Sequence, residues 1–270
     1  MRKQSWFNTV SLTFGFAFLY IPMIFLVIFS FNESKLVTVW AGFSTKWYGE
    51  LMRNEAFLEA AWVTIEVAVM SSTIATVLGT MAAFVLVRAG RFRGRTLFSG
   101  MIYAPLVMPE VITGLSLLLL FIAIGLDRGV VTIVLAHSTF SMCYVSVVVS
   151  SRMASFDESL EEAALDLGCT AWDAFKSVTL PIIAPAVASG WLLAFTLSLD
   201  DLVIASFAAG PSSTTLPIKI YSSVRLGLSP EINALSSMII GLVTIGVLVS
   251  SIMSKRSIQK QKRDELLAVQ

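Results

Sequence analysis

Residues 151–185 read SRMASFDESLEEAALDLGCTAWDAFKSVTLPIIAP, and this polar stretch decides how the rest of the chain is read. It holds Asp157, Glu158, Glu161, Glu162, Asp166 and Asp173 against Arg152 and Lys176 alone, in a chain with only 14% charged residues. Two helix starts are visible in it. Ser155-x-x-Glu158 has capping-box spacing and predicts a helix through Leu167, which Gly168 stops as a left-handed C-terminal residue. Thr170-x-x-Asp173 opens a second short helix, which Pro181 must end or kink. Helix, glycine break, short helix and proline make an elbow that displays Leu165, Leu167, Trp172 and Phe175 beside its acids. Such a face either docks in the groove of a partner or packs under neighbouring helices, and the residues alone leave both open.

On either side of the elbow the chain turns apolar. Hydrophobic residues make up 56% of the sequence and mean hydropathy is +0.81, far from the composition of a soluble domain. A membrane-spanning helix needs roughly 20 mostly apolar residues to cross about 30 Å of hydrocarbon with its backbone satisfied internally. Six stretches qualify, at about residues 7–31, 60–87, 97–124, 130–150, 187–208 and 234–254, and the elbow occupies about 151–185. The expected fold is therefore an all-α integral membrane domain of six transmembrane helices, a single unit over residues 1–270. The first stretch follows Arg2 and Lys3, yet its apolar run is too long for a signal-peptide core and no small-residue cleavage site follows it, so it reads as a retained helix.

Orientation follows from the basic residues, which cytoplasmic loops retain. With the N-terminus inside, 13 Lys and Arg fall on the inner side and 6 on the outer, and Arg88, Arg91, Arg93 and Arg95 cluster between the second and third spans. Both termini and the elbow are then cytoplasmic. These clusters are topology signals, and with a net charge of +1 nothing calls for nucleic acid. The outer stretch from Asn32 to Glu59 is aromatic, and Trp40, Trp47, Tyr48 and Trp62 suit an interfacial anchor more than a docking surface. Cys143 and Cys169 are too few for a disulfide framework or a Cys-rich metal site. His137 stands alone in the fourth span and suits buried, hydrogen-bonded packing better than catalysis or metal binding.

The spans carry four ionisable residues, Glu66, Glu110, Asp200 and Asp201, all acidic. Each costs roughly 2.5–3.5 kcal/mol to insert, so such groups normally face a polar interior. Counting along straight helices places Glu110 about 13 residues, roughly 20 Å, into the third span, with Asp200 and Asp201 at a similar depth in the fifth. Glu66 lies nearer the outer end of the second. Acids without intramembrane Lys or Arg suit a cationic solute and argue against sulfate or phosphate. They either contact that cation or pair with polar groups of a second subunit. Adjacent helical residues point about 100° apart, so one of Asp200 and Asp201 can line a path while the other makes a structural hydrogen bond. Trp191, Phe195 and Tyr103 can add cation–π contacts, although helix packing also explains them. Pro105 and Pro109 kink the third span just before Glu110, and the freed carbonyls suggest a gate.

The run Glu162-Ala163-Ala164, Gly168, Val178 and Leu180-Pro181 resembles the "EAA" loop of ABC importer permeases, with valine where isoleucine is commoner. FNESKLVTVWAGFSTKWYGEL in the outer loop, APLVMPEVITGLSLLLLF in the third span, and SGWLLAFTLSLDDLVIASF with TLPIKIYSSVRLGLSPEINA are similar to permeases of bacterial putrescine and spermidine importers. The likeness spans essentially the whole chain and is strongest to the putrescine-type permease that works beside a second permease. It implies a type I importer fold in the inner membrane, a homologous second permease forming a heterodimer, two ATPase subunits and a periplasmic polyamine-binding protein. It makes Glu162, Ala163, Ala164, Leu165, Gly168, Trp172, Phe175, Leu180 and Pro181 the coupling surface for the ATPase. No cofactor is expected on this chain: ATP-Mg belongs to the ATPase, and nothing here matches G-x-x-x-x-G-K-[ST]. An ion-coupled carrier would not need the EAA spacing, and an intramembrane serine protease would need a companion for His137.

Overall fold

The computed structural model describes residues 6–36, 39–227 and 229–245. Among them the regular elements are helical: α1 (Trp6–Phe29), α2 (Lys46–Leu51), α3 (Glu55–Arg88), α4 (Arg95–Val107), α5 (Glu110–Ala123), α6 (Val130–Ala154), α7 (Ser159–Asp166), α8 (Ala171–Ala174), α9 (Leu180–Leu199), α10 (Val203–Ala208) and α11 (Leu216–Leu226). A further apolar helix, α12, covers Pro230–Ile245. A π-turn, Phe175–Thr179, joins α8 to α9. Four helices are long and apolar enough to cross a membrane, and the bent pair α4 and α5 makes a fifth span if counted as one. The first ten or so residues of the expected sixth span fall in α12, while its remainder, Arg2, Lys3 and the basic residues after 254 lie outside the described residues.

The chain divides into two compact units, residues 1–55 with 222–270 and residues 56–221. In the first, α1 is mostly apolar and buries none of its residues. The loop after it is organised by Asn32, whose Oδ1 accepts from the Ala41 amide at 2.9 Å and whose Nδ2 donates to the Val39 carbonyl at 2.7 Å. Trp47 donates its indole N–H to the Asn32 carbonyl at 2.7 Å and is 3% exposed. Tyr48 meets Ser30 at 2.7 Å and Ser237 at 3.2 Å through its hydroxyl. The interfacial-anchor reading is thus corrected for Trp47, which is a core residue of its own loop, whereas Trp40 and Trp62 stay exposed.

The second unit is built around α6, which packs on α3 and α9 through small residues. A Cβ added at Gly79 of α3 would stand 2.7 Å from the Met142 carbonyl, and one at Gly190 of α9 would stand 3.2 Å from Val145. With Ser72, Ala75, Ala82 and Ala83 also buried, α3 presents the small-residue stripe that lets helices approach closely where no water drives them together. A second cluster joins Val63 and Val67 of α3, Phe121 of α5, Ile133 and Phe140 of α6, and Ile204 and Ala205 of α10.

Three span boundaries differ from the sequence reading. The 60–87 helix starts at Glu55, whose carboxylate suits a helix N-terminus. The 97–124 helix is broken: Met108 is extended (φ −79°, ψ 139°), as the residue before Pro109 tends to be, and α4 and α5 meet at 117°. Pro109 is the breaker, whereas Pro105 sits inside α4 without ending it. The 187–208 helix begins at Leu180 and stops at Leu199, because Asp201 starts a separate helix.

Candidate functional site

The elbow is shorter than 151–185, since α6 runs to Ala154 and α9 starts at Leu180. Ser155 does not cap α7. It closes α6, its Oγ donating to the Arg152 carbonyl at 2.8 Å. Asp157 takes over instead, with Oδ1 accepting the Ser159 amide at 3.0 Å, and these hydrogen bonds hold its carboxyl below the usual range. Gly168, at φ +89°, stops α7 as the sequence implied. Its amide donates to the Leu165 carbonyl at 2.9 Å and that of Cys169 to Ala164 at 3.1 Å, the paired bonds of a Schellman turn. Thr170 caps α8, accepting the Asp173 amide at 3.2 Å and donating to its carboxylate at 2.6 Å. Pro181 neither ends nor stops the helix, which continues into α9. The π-turn just before it widens the backbone where the ring lacks a donor and would crowd the Ser177 carbonyl.

Arg88, at the end of α3, holds the elbow in place. It pairs with Glu158 and, at 3.3 Å, with Glu161, and its guanidinium lies 5.3 Å from the buried Phe156 ring. By sequence alone this arginine is a topology signal, and no local pattern pairs it with acids about seventy residues on. Arg95 likewise closes the end of α3, donating to the carbonyls of Gly90 and, at 2.8 Å, Leu86. On the elbow Ala164 is buried, whereas Glu162, Ala163, Gly168 and Leu180 are exposed, as are Leu165, Leu167 and Trp172 at 43%, 86% and 61%. The Trp172 ring stacks on Phe175 at 5.6 Å, and Phe175 meets Phe84 edge-on. The elbow is therefore fixed at its base by a charge cluster and leaves Leu165, Leu167 and one side of Trp172 exposed, an arrangement that suits a protein groove.

The intramembrane acids separate by environment. Glu110 does not lie deep in a straight helix. It opens α5 in the first turn after the 117° break, where the Pro109 carbonyl accepts from Ile112 and Thr113, and it is exposed. Glu66 is exposed on α3. Asp200 ends α9 and is exposed, while the Asp201 side chain is 10% exposed and fully engaged. Asp201 Oδ2 accepts from the Ala205 amide at 2.7 Å and pairs with His137 Nε2 at 3.1 Å, and Oδ1 accepts from the Ile204 amide at 3.4 Å. Trp191 stacks flat on Phe195 at 5.2 Å and donates to Thr73 Oγ1 at 3.2 Å, and Tyr103 is 38% exposed on α4. No cluster of His, Cys, Asp and Glu suited to a metal occurs among the described residues.

Residues 75–263 match the family described as "Binding-protein-dependent transport system inner membrane component". The chain belongs to that family. It is a multi-pass inner-membrane permease subunit rather than an enzyme. It is 56% identical over 268 residues to the putrescine transport system permease protein PotI of Escherichia coli K12, covering 97% of this chain and 95% of PotI. It is 43% identical to the spermidine/putrescine transport system permease protein PotC of the same organism, covering 89% of this chain and 90% of PotC. Among solved structures it superposes on a chain of the bacterial alginate ABC transporter in complex with an alginate pentasaccharide-bound periplasmic protein, with a TM-score of 0.69, 19% identity and 92% of each chain covered. That last likeness supports the permease fold independently of the sequence.

Proposed function

We propose that this permease is the membrane-spanning subunit of an ATP-driven importer that carries a polyamine, putrescine first and spermidine next, into the cytoplasm. The end-to-end similarity to PotI carries this reading. The elbow and the acids supply its mechanism. In this reading six spans cross the membrane with both termini inside, and α7 and α8 face the cytoplasm. A periplasmic binding protein delivers the cation, a second, related permease completes the pathway, and two ATPase subunits sit beneath. The exposed faces of Glu162, Ala163, Leu165, Gly168, Trp172, Leu180 and Pro181 seat in the ATPase, with Ala164 and Phe175 shaping them from within. Closure of the ATPase pair then pushes on α7. Because Arg88 ties that helix to the end of α3, the push becomes rocking of the spans between inward- and outward-facing states.

The cargo passes exposed carboxylates. Glu110, Asp200 and Glu66 are exposed and suit charge-assisted hydrogen bonds to ammonium groups, the Trp191–Phe195 stack and Tyr103 suit cation–π contact, and Asp201 serves structure. The extended turn at Met108–Pro109 forms part of the gate, and alanine at both Pro105 and Pro109 with transport unchanged would remove that assignment. Reconstitution in vesicles with ATPase, second permease and binding protein tests the whole reading: putrescine uptake should require ATP hydrolysis. Uptake driven by a proton gradient without any ATPase would overturn it. Gly168→Trp should insert normally yet lose ATPase association, and unchanged transport would count against the coupling role.

A further inference from the structure

His137 is 2% exposed in the middle of α6, the lone histidine of the chain, and it is not explained by packing alone. Both ring nitrogens are engaged across long sequence distances. Nδ1 meets Ser198 Oγ on α9 at 2.7 Å, and Nε2 meets Asp201 Oδ2 at 3.1 Å. Ser71 of α3 extends the chain, its Oγ donating to Ser198 Oγ at 3.1 Å. One proton arrangement satisfies every member: Nε2–H donates to the carboxylate, and Nδ1 accepts from the Ser198 hydroxyl. The network thus ties α3, α6 and α9 to the carboxylate that caps α10.

The break between α9 and α10 is what this network fixes. Leu199 is the last residue of α9, Asp200 follows in a helical cap conformation (φ −101°, ψ −1°), and α10 restarts at Val203. Asp201 can accept the Ala205 amide only while its carboxylate is drawn inward, and the imidazole supplies that draw. Turning Asp201 inward sets its neighbour on another face, so Asp200 is exposed while Asp201 is covered. Two adjacent acids are thereby given opposite environments by one buried histidine.

We infer that His137 is a positioning residue for the cation path: by holding Asp201 it fixes the α9–α10 break so that Asp200 is presented to the passing cargo. The inference rests on the reading of Asp200 as a cargo-contacting acid. His137 does not touch the cation itself. Its loss should leave ATP hydrolysis intact and lower the amount of putrescine moved per ATP hydrolysed, a ratio that does not change when a variant merely reduces the amount of folded permease.

The experiment uses the complete reconstituted importer and measures that ratio for five variants. Asp200→Asn should lower it about tenfold, as expected for losing a charge-assisted hydrogen bond. His137→Leu should lower it to a similar extent. The double variant should be no worse than either single one, because both remove the same contact. His137→Gln, which can still donate to Asp201, should recover most of the ratio. Asp201→Asn keeps shape but weakens the pull on the imidazole, and should give a clear drop even if His137→Leu fails to insert. If Asp200→Asn lowers the ratio while His137→Leu or Asp201→Asn leaves it at the wild-type level, the positioning role is overturned and the path assignment survives. An additive double variant also overturns it. An unchanged ratio in Asp200→Asn removes the path assignment on which the inference stands.

Discussion

The elbow between α6 and α9 and the break between α9 and α10 are both interruptions of helix that carry acidic residues, and they are held in opposite ways. At the elbow the charge cluster opens outward: Arg88 is 12% exposed, Glu161 22% and Glu158 67%, and the large apolar side chains beyond it are exposed. At the break the carboxylate of Asp201 is covered and bound to a buried imidazole and two backbone amides. The elbow is fixed at its base and open at its face, as a part that must engage another protein needs to be. The break is closed on the inside and leaves one acid, Asp200, open. An acid paired at the solvent edge, such as Glu158, is tolerant of change, whereas a covered hydrogen-bonded acid is intolerant of losing any partner. The same residue type therefore sits in an open charge cluster in one place and fixes internal geometry in the other.

Substitutions can break this contrast, and the largest effect is expected on the packed side. A Cβ at Gly210, just beyond α10, would stand 2.1 Å from the Arg128 carbonyl oxygen, so Gly210→Ala must displace backbone. It should destabilise by about 3 kcal/mol or more, seen as loss of monodisperse permease in detergent, and a normal melting profile would show that the region around α10 is more yielding than its packing implies. Arg88→Gln comes next, releasing both elbow acids. About 1–2 kcal/mol is expected, below the cost of breaking a fully buried pair because Glu158 is largely exposed, with uptake falling more than ATPase activity. Equal loss of both activities would mean that Arg88 stabilises without transmitting.

Thr170→Ala removes the cap of α8 and should cost about 1 kcal/mol, read as faster hydrogen exchange confined to α8 and the π-turn. Exchange that spread into α6 would show that the elbow is not a separable unit. The smallest effect concerns pH. Asp157 has a lowered folded pKa, so its contribution to the start of α7 is fully present above the unfolded carboxyl value and fades as pH falls through the lowered one. Exchange protection at the start of α7 should fall on acidification in the wild type and should lose that dependence in Asp157→Asn.

The elbow was readable because its determinants are local. The amides of Gly168 and Cys169 reach carbonyls three and five residues back, and Thr170 reaches an amide three residues on, distances at which spacing is geometry. Where the local signal failed, a competing local group won. Ser155-x-x-Glu158 has capping-box spacing, but α6 runs on to Ala154 and consumes Ser155, so Asp157 starts α7. Pro181 reads as a helix stop, and a π-turn absorbs it instead. At Pro109 the sequence shows a breaker without showing how far the chain turns, and the 117° bend depends on what each half packs against. The acids were legible as an uncompensated set, yet their division was not, since Asp201 is distinguished from Asp200 by a histidine 64 residues away.

Composition and hydrophobic length by themselves determined that this is a helical membrane protein, and the spacing from Glu162 to Pro181 determined where the helices break into an elbow. Both follow from terms that act along the chain: transfer of apolar segments into lipid, and backbone hydrogen bonds closed within one or two turns. Only the tertiary structure decided that Arg88 anchors the elbow, that Trp47 is buried in its loop, and that His137 commits Asp201 and leaves Asp200 open. Those contacts join residues 15 to 73 positions apart, and a sequence carries no distance between them until the segments that bear them have packed.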